Sequence, residues 1–539
     1  MNDFVKPVLE YAELSPLLIV FAGAFVGVMV EAFVPRARRL VVQVSLVLVV
    51  LLGALGATLA LAVDWTDEER GAAFGIRAAM GAVAVDGPTL FLWGLLLVLA
   101  LLGTLLFAER RLDGGLSAFA GQAAVAPADE ASQPPERARW EQTEVYPLFL
   151  FAVSGTLLLP AADDLVVMFV ALEVLSLPLY LLTATARRRR LLSQEAALKY
   201  FLMGAFASAF LLYGAALTYG YAGTTSYEGI AAAVERGGVV PGAGEDLLLY
   251  AAIGLLLVGL LFKVGAAPFH AWTPDVYQGA PTPLVAWMSA ATKVAAFGAL
   301  TRLLHVAFGG AGEAWAPILS LVAVVSMGLG TVLALTQDDV RRMLAYSSVA
   351  HAGFVLAGVA AIRPVQELAP GELSSTRAVL FYLATYGVAT LGAFAVVTLV
   401  RDGAGEVSSL RRWAGLGRVS PWVAGLFGLF MLGLAGIPLT SGFVGKWAVF
   451  EVAGAEGRWP VVVAAVVLSA VAAAFYVRVI GVMFFGRAEP VPGAAPLVAA
   501  TPSAMLMAVV GVTGALTLLL GVVPDPLLDL AGRAGEWLG

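Results

Sequence analysis

The 539 residues include no cysteine, which excludes disulfides and thiolate ligation of an iron–sulfur cluster. Any electron transfer linked to this chain therefore belongs to another polypeptide. Charge is scarce as well: 13% of residues are Asp, Glu, Lys or Arg, about half the share of an average soluble domain. The net charge of -6 is small for this length and speaks against a nucleic-acid surface. No GxGxxG follows a candidate strand and no GxxxxGK(S/T) occurs, so neither a dinucleotide nor ATP has an evident binding loop. Lysine is rare, and four lysines, Lys199, Lys263, Lys293 and Lys446, lie inside long apolar stretches while the connecting segments use arginine. Arginine keeps its proton in a protein, whereas a desolvated lysine can release it. Lysine thus sits where a switchable charge is useful, which suggests a proton or cation carrier.

What the chain has in abundance is apolar surface: 60% hydrophobic residues and a mean hydropathy of +0.89. The reading is an all-α integral membrane protein. Fourteen runs are long enough to cross a hydrocarbon core of about 30 Å. They lie at residues 14-34, 40-63, 86-107, 145-160, 162-183, 194-220, 247-272, 281-307, 315-336, 340-361, 376-400, 419-452, 460-485 and 503-523. The first run is too long for a signal peptide and is expected to stay in the mature protein. Arginines collect in alternate connections (Arg36, Arg38 and Arg39; Arg110 and Arg111; Arg187 to Arg190; Arg341 and Arg342; Arg411, Arg412 and Arg418), and acids such as Asp64, Asp163, Asp164, Glu228 and Glu313 in the others. Because cytoplasmic connections gather positive charge, odd-numbered runs are expected to run outside to inside, with both termini outside. Residues 108-144, with Pro127, Pro134 and Pro135, read as a mobile cytoplasmic loop.

Five of these runs (residues 145-307) can be laid over the next five (315-485). The leading unit 1-107 and the closing segment 486-539 flank them. A tandem repeat of an odd number of spans inserts upside down, and inverted repeats commonly build a transport site between them. In each unit the fourth run is interrupted by proline near a lysine: Pro268 with Lys263, and Pro438 with Lys446. An isolated proline kink would look the same in one helix alone. Two at the same ordinal place point to broken helices whose freed carbonyls need a partner or water. The second run of each unit carries a titratable residue near its midpoint, Glu173 and His351.

By a count of about 1.5 Å per residue, Glu173, Lys293 and His351 fall near mid-membrane and Lys263 and Lys446 well inside. Lys199 is shallower and could snorkel to the interface; Arg302 and Arg478, nearer helix ends, are expected to do so. His270 fits a core imidazole or a relay, and His305 an end-of-helix residue. Each central charge costs roughly 2.5–3.5 kcal/mol on insertion, and one carboxylate cannot neutralise three lysines and a histidine. The surplus suits proton handling better than scaffolding. A Glu–Lys pair about 4 Å apart at an effective dielectric near 20 is worth about 4 kcal/mol, more than the roughly 2.3 kcal/mol of moving one charge through about 100 mV.

Five segments carry a family resemblance: LEVLSLPLYLL (Leu172 to Leu182), EAALKYFLMGAFASAFLLYG (Glu195 to Gly214), FKVGAAPFHAWTPDVYQGAPTPL (Phe262 to Leu284), RRMLAYSSVAHAGF (Arg341 to Phe354) and LAGIPLTSGFVGKW (Leu434 to Trp447). With these the chain resembles the antiporter-like membrane subunits of bacterial respiratory complex I, the proton-translocating NADH–quinone oxidoreductase. The TPDVYQGAPTP turn is similar to the N type. Lys446, where the M type usually has glutamate, and the lack of a long helical extension like that of the L type agree.

The resemblance implies that Glu173 pairs with Lys263 as a charge switch and that Lys293 is the central relay. His351 and Lys446 would continue a hydrated axis, and Lys199 would modulate Lys263 or entry from the cytoplasm. It implies no cofactor in this chain, with flavin, iron–sulfur clusters and quinone in other subunits. The implied partners are the other membrane subunits, the bilayer, protons and water, in a bacterial cell membrane. Rival readings are a subunit of a multi-subunit cation/proton antiporter or membrane-bound hydrogenase, a passive membrane scaffold, and, less well supported, a quinone-binding chain.

Overall fold

The computed structural model describes residues 9–64, 75–112, 114–120, 142–238, 245–361, 373–403, 405–487, 496–535, 537 and 538. Helices dominate. In chain order they are α1 (Ser15–Phe33), α2 (Arg36–Asp64), α3 (Gly87–Phe107), α4 (Val145–Ala161), α5 (Leu165–Thr183), α6 (Arg190–Ala222), α7 (Tyr227–Arg236), α8 (Glu245–Val264), α9 (Trp272–Gly279) and α10 (Thr282–Arg302). The second half adds α11 (Gly312–Leu335), α12 (Val340–Val359), α13 (Ser375–Val397), α14 (Pro421–Ala435), α15 (Ser441–Ala455), α16 (Trp459–Phe485), α17 (Ala504–Val522) and α18 (Asp525–Ala534).

Every apolar run contains a helix, and among the described residues eleven helices are long and apolar enough to cross a membrane. The other three runs differ for physical reasons. The helix α4 has 17 residues, α12 carries Ser347, Ser348 and His351 in its middle, and the twelfth run is split between α14 and α15. Acidic or hydroxyl caps start many of them: Asp86, Asp164, Asp339 and Ser374 each accept a hydrogen bond from a first-turn amide of α3, α5, α12 or α13, which satisfies donors that helix geometry leaves without partners.

Lipid-facing and enclosed helices separate cleanly. All of α10 is buried, and so is α13 apart from Arg377; the two pack on each other in the middle of the molecule. Rim helices instead turn large apolar side chains outward, among them Val49 and Leu52 on α2, Phe206 on α6, Leu321 on α11 and Val466 on α16, as hydrocarbon solvent allows. The leading helices are not separate from the two units, since α3 packs against both α10 and α13. Of the expected loop at 108–144, residues 113 and 121–141 lie outside the described residues. The part before it is fixed: Phe119 pairs with Ala186, and Arg187 Nε donates to Ser117 O at 2.6 Å. Short antiparallel strands stitch other connections, β1 (Ile76–Ala78) with β2 (Val83–Val85), and β3 (Val400–Asp402) between β4 (Gly405–Glu406) and β5 (Val498–Ala499).

Both expected breaks are present, but glycine rather than proline ends each first half. After α8, Gly265 takes φ +70°, its amide bonding Phe262 O and that of Ala266 bonding Leu261 O. After α14, Gly436 takes φ +80°, with Gly436 bonding Gly433 O and Ile437 bonding Leu432 O. The two closures are the same Schellman pattern, which needs a left-handed residue. Pro268 and Pro438 follow within three residues, so they block a restart of the helix.

Arg302 contradicts the snorkelling expectation. It is fully buried at the end of α10, with Nη2 at 2.7 and 2.8 Å from the two Asp86 carboxylate oxygens and Nε donating to Pro160 O at 2.8 Å. Trp537 covers the guanidinium at 4.6 Å, and the Leu538 amide bonds Asp86 at 2.9 Å. The partner, far away in sequence, makes burial tolerable. Arg302→Leu, which strands the Asp86 charge, is expected to destabilise the chain by about 3–5 kcal/mol; Arg302→Leu with Asp86→Asn should recover part of that, as read from thermal unfolding in detergent.

Candidate functional site

The site is a row of amines and their acceptors lying inside protein rather than against lipid. Lys263, Lys293, His351 and Lys446 are each at most 4% exposed. Lys263 occupies the last turn of α8, just before the break, and its Nζ donates to Ser176 Oγ at 2.6 Å and Tyr200 OH at 3.4 Å. Ser176 Oγ in turn donates a hydrogen bond to Leu172 O. Tyr200 is fully buried and stacked on Trp272, so the hydroxyl is held where Lys263 can use it.

Glu173 does not pair with Lys263 here. Its Oε1 accepts from Ser208 Oγ at 2.5 Å, and no ion pair within bonding range joins it to a lysine among the described residues. Ser176, one helical turn along α5 from Glu173, receives the amine instead. The acid and the amine are thus on one face of α5's surroundings, each held by a serine.

Lys293, midway along the enclosed helix α10, donates from Nζ to Ser348 O at 2.7 Å. The Ser348 hydroxyl accepts from Tyr386 at 2.8 Å and lies 3.4 Å from the Tyr277 hydroxyl. Gly265, at the first break, must lack a side chain, because a Cβ there would lie 2.9 Å from Thr273 Oγ1 and 3.7 Å from Lys293 Nζ. One turn along α12, His351 bonds Tyr382 at 2.7 Å through Nδ1 and Tyr476 at 3.2 Å through Nε2, and Tyr476 bonds Ser347 at 2.5 Å. Ser347, Ser348 and His351 of α12 therefore serve two clusters: the Ser347 and His351 side chains meet Tyr476 and Tyr382, while the Ser348 carbonyl takes Lys293 and its hydroxyl meets Tyr386 and Tyr277.

Lys446 reaches back from α15 across the second break. Its Nζ donates to Ala435 O at 2.8 Å, at the end of α14, and to Ser469 Oγ at 2.9 Å, and it lies 4.7 Å over the Phe354 ring. A Cβ on Gly436 would lie 2.9 Å from Lys446 Cδ. Gly436 therefore makes room for Lys446, whereas Gly265 makes room for Thr273. The lysines too are placed differently in the two breaks, with Lys263 ahead of its glycine and Lys446 beyond.

Lys199 is not in this row. It is 44% exposed and paired with Glu195 at 2.7 Å and Asp275 at 2.9 Å. Asp275 also binds Arg342 at 2.7 Å, so a residue of α9 bridges α6 and α12 at the end of the row. Partial burial raises the Asp275 carboxyl, but the hydrogen-bonded Lys199 and Arg342 outweigh it and hold the group below its ordinary value. Sequence reasoning passed over Asp275 although it lies in the quoted TPDVYQGAPTP motif; an acid between two arginine- or lysine-bearing motifs was the available signal. Ser176, Ser208, Ser348, Tyr382 and Tyr476 were missed as well. His270 is partly buried beside the first break, and its Nδ1 has no hydrogen-bond partner among the described residues. His305 sits in a short π-turn after α10. Arg478 lies at an edge, bonded to Asp338 at 2.9 Å.

Residues 162–472 match the family model described as NADH:quinone oxidoreductase/Mrp antiporter, TM. The chain is 56% identical over 99% of its length, and all of the relative's, to NADH-quinone oxidoreductase subunit N of Nocardioides sp.. It is 51% identical over its whole length, and 96% of the relative's, to NADH-quinone oxidoreductase subunit N 3 of Streptomyces griseus. Among solved structures it resembles a chain of respiratory complex I from Thermus thermophilus with TM-score 0.73 and 34% identity, covering 97% of this chain and all of that one. A chain of the Mrp complex from Dietzia, 22% identical with TM-score 0.78 over 97% of this chain and 96% of that one, shares the fold. The chain belongs to the NADH:quinone oxidoreductase/Mrp antiporter family of membrane subunits, and its full-length relatives are its N-type subunits.

Proposed function

We propose that this chain is the proton-translocating N-type membrane subunit of a bacterial NADH–quinone oxidoreductase. It would work in the cell membrane beside the other membrane subunits, with both termini on the outer side and with flavin, iron–sulfur and quinone chemistry in other chains. The observation that carries the reading is the set of three buried lysines, each hydrogen-bonded to neutral oxygens rather than to a carboxylate. A buried amine without a counter-charge is costly in its protonated form. Such a group is useful if it gains and loses its proton as a partner approaches and leaves.

Glu173 and Lys263 are the pair to be made and broken. Both side chains are held by serines on adjoining helices, so small rotations exchange hydroxyl for ionic partners. From there Lys293, the Ser348–Tyr386–Tyr277 hydroxyls, His351 and Lys446 extend the route into the second unit. His270 Nδ1 and Thr273 Oγ1, buried atoms without a hydrogen-bond partner among the described residues, suit a wet passage around the first break. Lys199, with Asp275 and Arg342, lies at its charged mouth. The antiporter reading shares this fold, but the relatives at 51–56% identity favour the oxidoreductase.

The experiment is Lys263→Met in the intact complex, with NADH-driven proton uptake by inverted membrane vesicles normalised to assembled complex. Uptake should fall by on the order of 10²-fold while the complex still assembles. Unchanged uptake would leave the passive scaffold as the better reading.

A further inference from the structure

A cavity of about 430 Å³ opens where the α5–α6 connection, the start of α12 and the strand hairpin after α13 meet. It is separate from the lysine row, and its lining is unusual. Among the described residues six arginines line it, Arg187, Arg188, Arg189, Arg341, Arg401 and Arg412, against two carboxylates, Asp402 and Glu406, a balance of +4 from these eight side chains.

The carboxylates belong to the wall. Glu406 accepts the Thr282 hydroxyl and stands 3.8 Å from both Arg341 and Arg401. Asp402 binds Arg412 and caps the Gly405 amide at 3.0 Å. The guanidiniums are also set in place. Arg341, 3% exposed, donates to Tyr277 O at 2.8 Å and to Ala280 O. Arg189 donates to Glu406 O at 2.8 Å and to Ser408 Oγ at 3.3 Å. Gly405 takes φ +127°, and a Cβ there would lie 2.6 Å from Arg188 Cδ, so the hairpin is shaped to let Arg188 pass. Fixed guanidiniums converging from three connections suit a tetrahedral anion, which accepts hydrogen bonds from several directions, better than a planar carboxylate.

We infer that this arginine-walled cavity binds the phosphate group of an anionic ligand, supplied either by a phospholipid headgroup or by a soluble phosphate compound. None of Lys263, Lys293, His351 and Lys446 lines it, although Arg341 in its wall donates to the backbone oxygen of Tyr277.

The test uses the purified complex in detergent, titrated separately with inorganic phosphate and short-chain phosphatidylglycerol and followed by native mass spectrometry and calorimetry. The wild type should bind one equivalent whose affinity weakens about tenfold or more in Arg188→Gln/Arg189→Gln. Arg188→Lys/Arg189→Lys, which keeps the charge but loses the fork, should fall between them. Arg411→Gln, exposed and outside the cavity, should bind like the wild type. Saturation by phosphatidylglycerol alone assigns the lipid source, and saturation by inorganic phosphate assigns a soluble one. The inference is overturned if glutamine variant and wild type bind alike, or if a polyglutamate peptide displaces the phosphate and binds more tightly.

Discussion

Lys293→Arg is expected to stop proton translocation as completely as Lys293→Met. Uptake per assembled complex should fall by on the order of 10²-fold in both. The two substitutions fail for opposite reasons: methionine never carries the proton and arginine never gives it up. The site makes the comparison informative. Lys293 lies on a helix buried throughout its length, and among the described residues its hydrogen bond goes to a neutral carbonyl, Ser348 O, with no carboxylate paired to it. An arginine variant that pumps like the wild type would show that only a static charge is needed at this point, and the relay role of Lys293 would go. Because the longer side chain must fit beside Gly265, assembly and thermal unfolding of each variant serve as the packing control; Ser348→Ala, which keeps the backbone acceptor but removes the hydroxyl shared with Tyr386 and Tyr277, should slow translocation without stopping it.

Glu173→Gln should give the second large loss. The carboxylate is held by Ser208 at 2.5 Å, and the amide can keep that hydrogen bond, so the local structure should survive. What disappears is the attraction that draws Lys263 away from Ser176. At about 4 Å and an effective dielectric near 20 that attraction is about 4 kcal/mol, equivalent to roughly three pKa units of proton affinity. Removing it should lower coupled proton uptake by about 10²-fold or more, with quinone-linked NADH oxidation in uncoupled membranes falling less. Ser208→Ala separates the two states of the switch. Freed from its serine, Glu173 should engage Lys263 more of the time, so the variant should be slowed rather than silenced. Equal losses in Ser208→Ala and Glu173→Gln would argue against a pair that opens and closes.

Much of this was legible in the sequence because hydrocarbon imposes simple demands. Apolar length gave most helix ends to within a few residues, though the seventh run overshoots α8 and the twelfth holds two helices, and lysine or histidine within apolar runs marked Lys263, Lys293, His351 and Lys446 as interior groups. The misses are tertiary. Arg302 looked like an interfacial residue because its partner Asp86 is far away in sequence and only packing brings them together. The Glu173–Lys263 pairing is a matter of side-chain rotation, which pattern cannot fix when Ser176 and Ser208 offer competing hydrogen bonds nearby. Proline drew attention at both breaks, yet the backbone turns at Gly265 and Gly436, whose positive φ is invisible to a search for missing amide donors. Asp275 was hidden in a motif read for its family resemblance, and its two ion pairs depend on α6 and α12 arriving from either side.

The amine of Lys446 sits on the carbonyl of Ala435, one of the acceptors set free where α14 ends. It therefore acts as a stopper for that backbone oxygen. Should the side chain swing away to deliver its proton, the oxygen is bared in a low-dielectric interior and must be taken over by a water or by a shift of the hinge itself. Proton departure and flexing of the interrupted helix are then one event seen from two ends, and a spectroscopic probe on either should report both.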